Sequence, residues 1–129
     1  MSSKCTVLVI DDEQAFRESL RDILEAQGYG VVLAADGEAG LEQIRQGHFS
    51  LVLMDIRMPR KDGLQVLQEL TGLSRIPPII MVTAHRLDDD AKQLVTERAV
   101  AIYTKPLDIA VVLEAIQGHA CKPPDNGTK

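Results

Sequence analysis

Tryptophan is absent, and two tyrosines and two phenylalanines are the whole aromatic complement of the 129 residues. Rings are few and no glycine-rich phosphate loop follows the first apolar run, so no flavin or nucleotide site is expected where that run ends. The only two cysteines, Cys5 and Cys121, lie at opposite ends without pairing or metal-ligand spacing, and they read as free thiols of a reducing compartment. His48 and His85 have no companion at ligand spacing, which removes a zinc site. No apolar stretch approaches the ~20 residues that cross a bilayer. Met1-Ser2-Ser3-Lys4 leads into an apolar run too short for a secretory signal, so the expected location is cytoplasmic, with no membrane partner. Lys/Arg-rich runs are missing too, and the formal net charge is −5, so no direct nucleic-acid binding is expected of this domain.

What is present suits one domain with a single core: 45% of the residues are hydrophobic and 26% charged. The chain centres on Leu51-Val52-Leu53-Met54, an unbroken apolar run that delivers Asp55 and soon meets Pro59. Such a run is a strand covered on both faces, as in a parallel sheet between helices. Other strands are expected at Thr6–Ile10, Val31–Ala35, Ile79–Val82 and Ala101–Thr104. Between them the period changes. Phe16, Leu20, Ile23 and Leu24 share one helical face that stops by Gly28, and Leu41 with Ile44 serve a second helix opened by Asp36-Gly37 and ended by Gly47. Leu64, Leu67 and Leu70 mark a third, and Asp88-Asp89-Asp90 the acidic first turn of a fourth. Ile109, Val112, Leu113 and Ile116 line a fifth, with Asp108 as its cap. Strict alternation of strand and helix predicts an α/β fold, a doubly wound five-stranded parallel sheet with helices on both faces.

In such a sheet every strand ends on the same edge, so Asp11, Asp12, Asp55, Thr83 and Lys105 converge. Three carboxylates in one crevice repel unless a cation sits among them, and Mg2+ fits, taking carboxylates, waters and a phosphate oxygen. Thr83 offers a hydroxyl and Lys105 a compact positive charge for the oxygens of a phosphoryl group. A carboxylate can itself act as nucleophile toward phosphorus. These residues together point to phosphoryl transfer onto Asp55.

With Asp11-Asp12, Asp55 followed by Met58-Pro59 and Gly63, Thr83-Ala84 and Lys105-Pro106 in view, the chain resembles the receiver domain of two-component response regulators over residues 5–117. The resemblance implies a flavodoxin-like fold with strand order 2-1-3-4-5. It also implies that a sensor histidine kinase or histidine phosphotransfer protein donates to Asp55. By the same likeness Asp12 and Asp55 bind Mg2+ directly, Asp11 through water and Arg57 through its backbone carbonyl. Thr83 and Lys105 contact the phosphoryl oxygens, and the Lys105-Pro106 bond is cis. Residues 118–129 read as a flexible tail or the start of a linker, toward an output domain if one follows; a homodimer is the other expected assembly.

Two positions depart from the family pattern. Receivers usually carry Tyr or Phe three residues before the lysine, where this chain has Ile102; Tyr103 comes one residue later and belongs to the opposite face of the strand. The expectation is that the usual aromatic switch is missing and that activation is read out by the loop Thr83 to Arg86 or by the fourth helix. Arg98 stands where a glycine is usual, so that helix is expected to end differently. No enzymatic activity toward another substrate is expected: Arg57 occupies the place where Mg2+-dependent phosphohydrolases keep a second Asp, and it cannot supply a proton. The alternative is a vestigial receiver acting as a phosphorylation-independent interaction domain.

Overall fold

The computed structural model describes residues 5–73, 75–84 and 86–119. Ten elements alternate: β1 (Thr6–Ile10), α1 (Gln14–Ala26), β2 (Gly30–Ala34), α2 (Gly37–Gln46), β3 (Leu51–Asp55), α3 (Gly63–Leu70), β4 (Ile79–Thr83), α4 (Asp89–Arg98), β5 (Ala101–Thr104) and α5 (Ile109–His119). All strand pairs are parallel, in the order β2-β1-β3-β4-β5.

The period of two along each strand sorts its side chains into two cores. Leu8, Ile10, Val52, Met54 and Met81 face α2, α3 and α4, while Val7, Val9, Leu51, Leu53 and Val82 face α1 and α5. Strands β3 and β4 are buried along their whole length, which is why their sequences are unbroken apolar runs; the edge strand β5 alternates between half-buried and exposed.

Asp36 accepts from the N–H of Ala39, Asp88 from that of Ala91 and Asp108 from that of Ala110, so these three carboxylates open α2, α4 and α5 as their positions suggest. Asp62 and Gln65 form a reciprocal capping box at the start of α3, a D-x-x-Q signal that is plain in the sequence. Helix α4 ends without a left-handed residue: Arg98 stays helical and Ala99 leaves directly in an extended conformation, its N–H bonded to the carbonyl of Val95. Arg98 thus avoids the steric cost that a glycine would otherwise relieve. Helix α5 continues through Gly118 to His119, past the point where the apolar spacing fades, and the remainder of the expected tail, with Cys121, lies outside the described residues.

Tyr29 is 2% exposed at the α1–β2 corner, and its hydroxyl has no hydrogen-bond partner among the described residues. Burial pushes its ionisation above the ordinary tyrosine value. A Tyr29→Phe change removes a desolvated hydroxyl and keeps the ring, so stability is expected to rise by about 1 kcal/mol. Urea denaturation at constant m-value measures it, and a lower midpoint contradicts it.

Candidate functional site

Strands β1, β3, β4 and β5 deliver their last residues to one edge. Asp11 follows β1 at 1% exposure, Asp55 ends β3 at 7% and Thr83 ends β4 at 4%, whereas Asp12 is exposed. Oxygens of Asp11, Asp12 and Asp55 lie within 4.8 Å of one another. Lys105, just past β5, sends its Nζ 2.8 Å from Asp11 Oδ2 and 3.3 Å from Asp55 Oδ2, with Glu13 Oε1 at 3.7 Å. Its own backbone N–H donates to the Thr83 carbonyl at 2.8 Å, and the Lys105-Pro106 bond is cis, as the resemblance implied.

Local bonds fix these groups. Asp11 Oδ1 accepts from the N–H of Glu13 at 2.9 Å, turning the chain into α1, and Arg17 Nη1 holds the Asp11 carbonyl at 2.7 Å. The N–H of Arg57 points to Asp55 Oδ1 at 3.3 Å, and its side chain is exposed. The loop after Asp55 is tied to α2 and α3: Arg60 pairs with Asp36 at 3.4 Å, and Lys61 pairs with Glu38 of α2 and Glu69 of α3. Arg60 holds φ at 69°, a strained setting for a side-chain-bearing residue.

Burial is the main cause that holds the Asp55 carboxyl above the ordinary carboxylate range; the Asp11 charge adds to it, and Lys105 and the Arg57 N–H work against it. For Lys105 burial works to lower its affinity for a proton, but the hydrogen bond and charge of Asp11, with those of Asp55, outweigh burial and raise it. Hard oxygen donors packed this closely, with Asp55 made reluctant to ionise beside Asp11, are a donor set suited to Mg2+, and exposed Asp12 leaves the site open to solvent.

Asp11, Asp12, Asp55 and Lys105 therefore meet at one edge, as sequence spacing suggested, and Thr83 ends its strand there with its carbonyl bonded to the Lys105 N–H. Sequence reasoning missed Phe16, whose ring centroid lies 4.2 Å from Lys105 Nζ, a cation–π contact that fixes the ammonium. Phe16 showed only as part of an apolar helical face. Ile102 is 41% exposed on the α4 side of β5, while Tyr103 packs on the α1–α5 side, so the two do face opposite ways. His85 lies outside the described residues.

Residues 7–117 match the family model of the response regulator receiver domain, and the chain belongs to that family. The acidic pocket is the part of a receiver domain suited to phosphorylation and Mg2+. Among curated relatives, the transcriptional regulatory protein ZraR of Escherichia coli (strain K12) is 36% identical over 116 residues, covering 88% of this chain and 26% of that protein. The chain thus spans about a quarter of the length of that relative. Among solved structures, the receiver domain protein (CheY-like) of Methanospirillum hungatei JF-1 aligns with a TM-score of 0.84 at 32% identity, covering 90% of this chain and 93% of that one. The response regulator TrrA of Thermotoga maritima, solved in complex with Mg(2+)-BeF, aligns at 0.78 and 30% identity, covering 88% and 97%. Among the described residues no helix is long and apolar enough to cross a membrane.

Proposed function

We propose that this domain receives a phosphoryl group on Asp55 from the phosphohistidine of a sensor histidine kinase or a histidine phosphotransfer protein, in the cytoplasm, and thereby switches the binding of an output domain or partner. An Asp55 oxygen forms the new bond to phosphorus as the phosphorus–nitrogen bond of the donor breaks and the imidazole leaves with the electron pair. One observation carries this reading: the buried Asp55 carboxylate stands among two further carboxylates and the Lys105 ammonium, at a distance of 3.3 Å from the latter. Asp11, Asp12, Asp55 and the Arg57 carbonyl would hold Mg2+, which when bound offsets the carboxylate charge and draws a phosphoryl oxygen into place. Lys105 and the Thr83 hydroxyl stabilise the charge that spreads over the other phosphoryl oxygens. Phosphoryl transfer is confined to the domain's own aspartate, which takes the group up and later loses it to water.

An apolar groove of about 530 Å3 between α1 and the β5–α5 loop, walled by Phe16, Leu20, Ile23, Pro106 and Ile109, opens beside Lys105. It supports docking of a donor at the edge that carries Asp55. Incubation with acetyl phosphate and Mg2+ is expected to add about 80 Da, the mass of one phosphoryl group. Asp55→Asn and EDTA should each abolish the gain. An Asp55→Asn variant labelled as fully as the wild type would refute the assignment, and loss of both labelling and Mg2+ binding would favour the vestigial interaction domain.

Readout passes through the Thr83 to Arg86 loop or through α4 rather than an aromatic on β5, because the usual position holds Ile102. An Ile102→Tyr variant is expected to change the difference in partner affinity between phosphorylated and unphosphorylated forms; an unchanged difference in a titration counts against this route.

A further inference from the structure

The opposite edge of the sheet, where strands begin, holds a cleft of about 550 Å3 between the loop after α2 and the lead-in to β4. Phe49 forms one wall. Its ring lies over Gly47 so closely that a Cβ there would stand 2.8 Å from Phe49 Cε2. Pro77 and Ile76, the latter 40% exposed, continue the apolar surface. Arg45, His48 and Arg75 stand around it, and among the described residues no Asp or Glu lines it. In a chain of net charge −5 this is a local reversal of sign. Arg45 reaches Glu69 at 3.6 Å, but their side chains are 48% and 38% exposed, so that pair is weak and an anion can displace it.

The volume lies in the range of small-molecule clefts, ~300–1,000 Å3. Guanidinium groups match phosphate oxygens two at a time, and the Phe49 and Pro77 faces suit a flat apolar body. A long polyanion would run onto the acidic remainder of the surface, so a compact ligand is favoured over a nucleic-acid strand. We propose that this cleft binds a small planar polyanion of the nucleoside diphosphate class, with its ring against Phe49 and Pro77 and its phosphates toward Arg45 and Arg75. The site is independent of Asp55 and of phosphorylation.

The test is titration of the 15N-labelled chain with ADP in EDTA, so that no metal bridges phosphate to the carboxylate edge. Saturable shifts are expected at the amides of Gly47, Phe49 and Ile76. Adenosine and pyrophosphate should each bind about tenfold more weakly than ADP, because each lacks one half of the contacts. Arg75 is exposed, so Arg75→Glu keeps the fold and should weaken ADP by about tenfold or more, with Arg75→Lys retaining part of the affinity. Shifts that do not saturate, that centre on Asp11 and Asp55, or that survive Arg75→Glu would overturn the proposal. So would pyrophosphate binding as tightly as ADP.

Discussion

Replacing Lys105 with alanine is expected to slow phosphoryl transfer from acetyl phosphate to Asp55 by about 100- to 1,000-fold, the usual cost of losing a donor aimed at developing charge. The ammonium is already in position. Asp11 at 2.8 Å and Asp55 at 3.3 Å hold it, and the Phe16 ring limits its movement from a third side. Such preorganisation means that little reorientation is needed as charge builds on the phosphoryl oxygens. The same substitution has a second signature that a purely catalytic loss would not show. Without Lys105, the 1% exposed Asp11 loses its hydrogen-bonded cation and faces Asp55 alone, so the metal-free variant should be less stable than the wild type by about 3 kcal/mol at neutral pH. Mg2+ supplies the missing positive charge, and it should therefore raise the melting temperature of the variant more than that of the wild type. An equal Mg2+ effect on both would show that Lys105 does not neutralise the carboxylates.

Gly63→Ala should unfold the domain more readily, by about 3 kcal/mol, the upper part of the range for overpacking a buried site. A Cβ at this position would stand 2.5 Å from the Asp55 carbonyl oxygen and 3.0 Å from Ile56 Cα. Both are backbone atoms of the segment that carries the acceptor, and neither can rotate away. The Gly63 N–H also donates to the Ile56 carbonyl at 2.7 Å, closing the loop that begins at Asp55. Relief could come only from displacing that loop, which would shift Asp55 and the Arg57 carbonyl proposed above to hold Mg2+. A fall in the urea midpoint, with loss of Mg2+ affinity in the fraction that stays folded, is the expected result. A change below about 1 kcal/mol, the average for an arbitrary substitution, would contradict the close approach.

Much of this molecule is written in local pattern. The run Leu51 to Met54 reads as a buried central strand because a strand covered on both faces has no need of polar alternation, and the structure places it between β1 and β4. Asp36, Asp88 and Asp108 are legible as caps because a cap acts over only two or three residues. The site residues were legible for a different reason: once strands are parallel, chain direction alone sends Asp11, Asp55, Thr83 and Lys105 to one edge. The capping box of Asp62 and Gln65 and the last turn of α5 are equally local, the second hidden in the sequence by Gly118, which the helix tolerates one residue before its end.

The sequence by itself thus determined the fold class, the strand order through the family pattern, and the carboxylate, hydroxyl and lysine set. Only the tertiary structure decided what those groups touch. The bond between Lys105 and Asp11 joins residues 94 apart, and the Phe16 ring beneath the ammonium depends on how α1 lies across the sheet. The ion pairs of Lys61 with α2 and α3 and the basic cleft under the strands likewise bring together segments with no shared sequence period. Periodicity specifies which face of an element is buried. Contacts within a few ångströms are set by the distances and angles at which those faces pack, and these exist only once the chain has closed on itself.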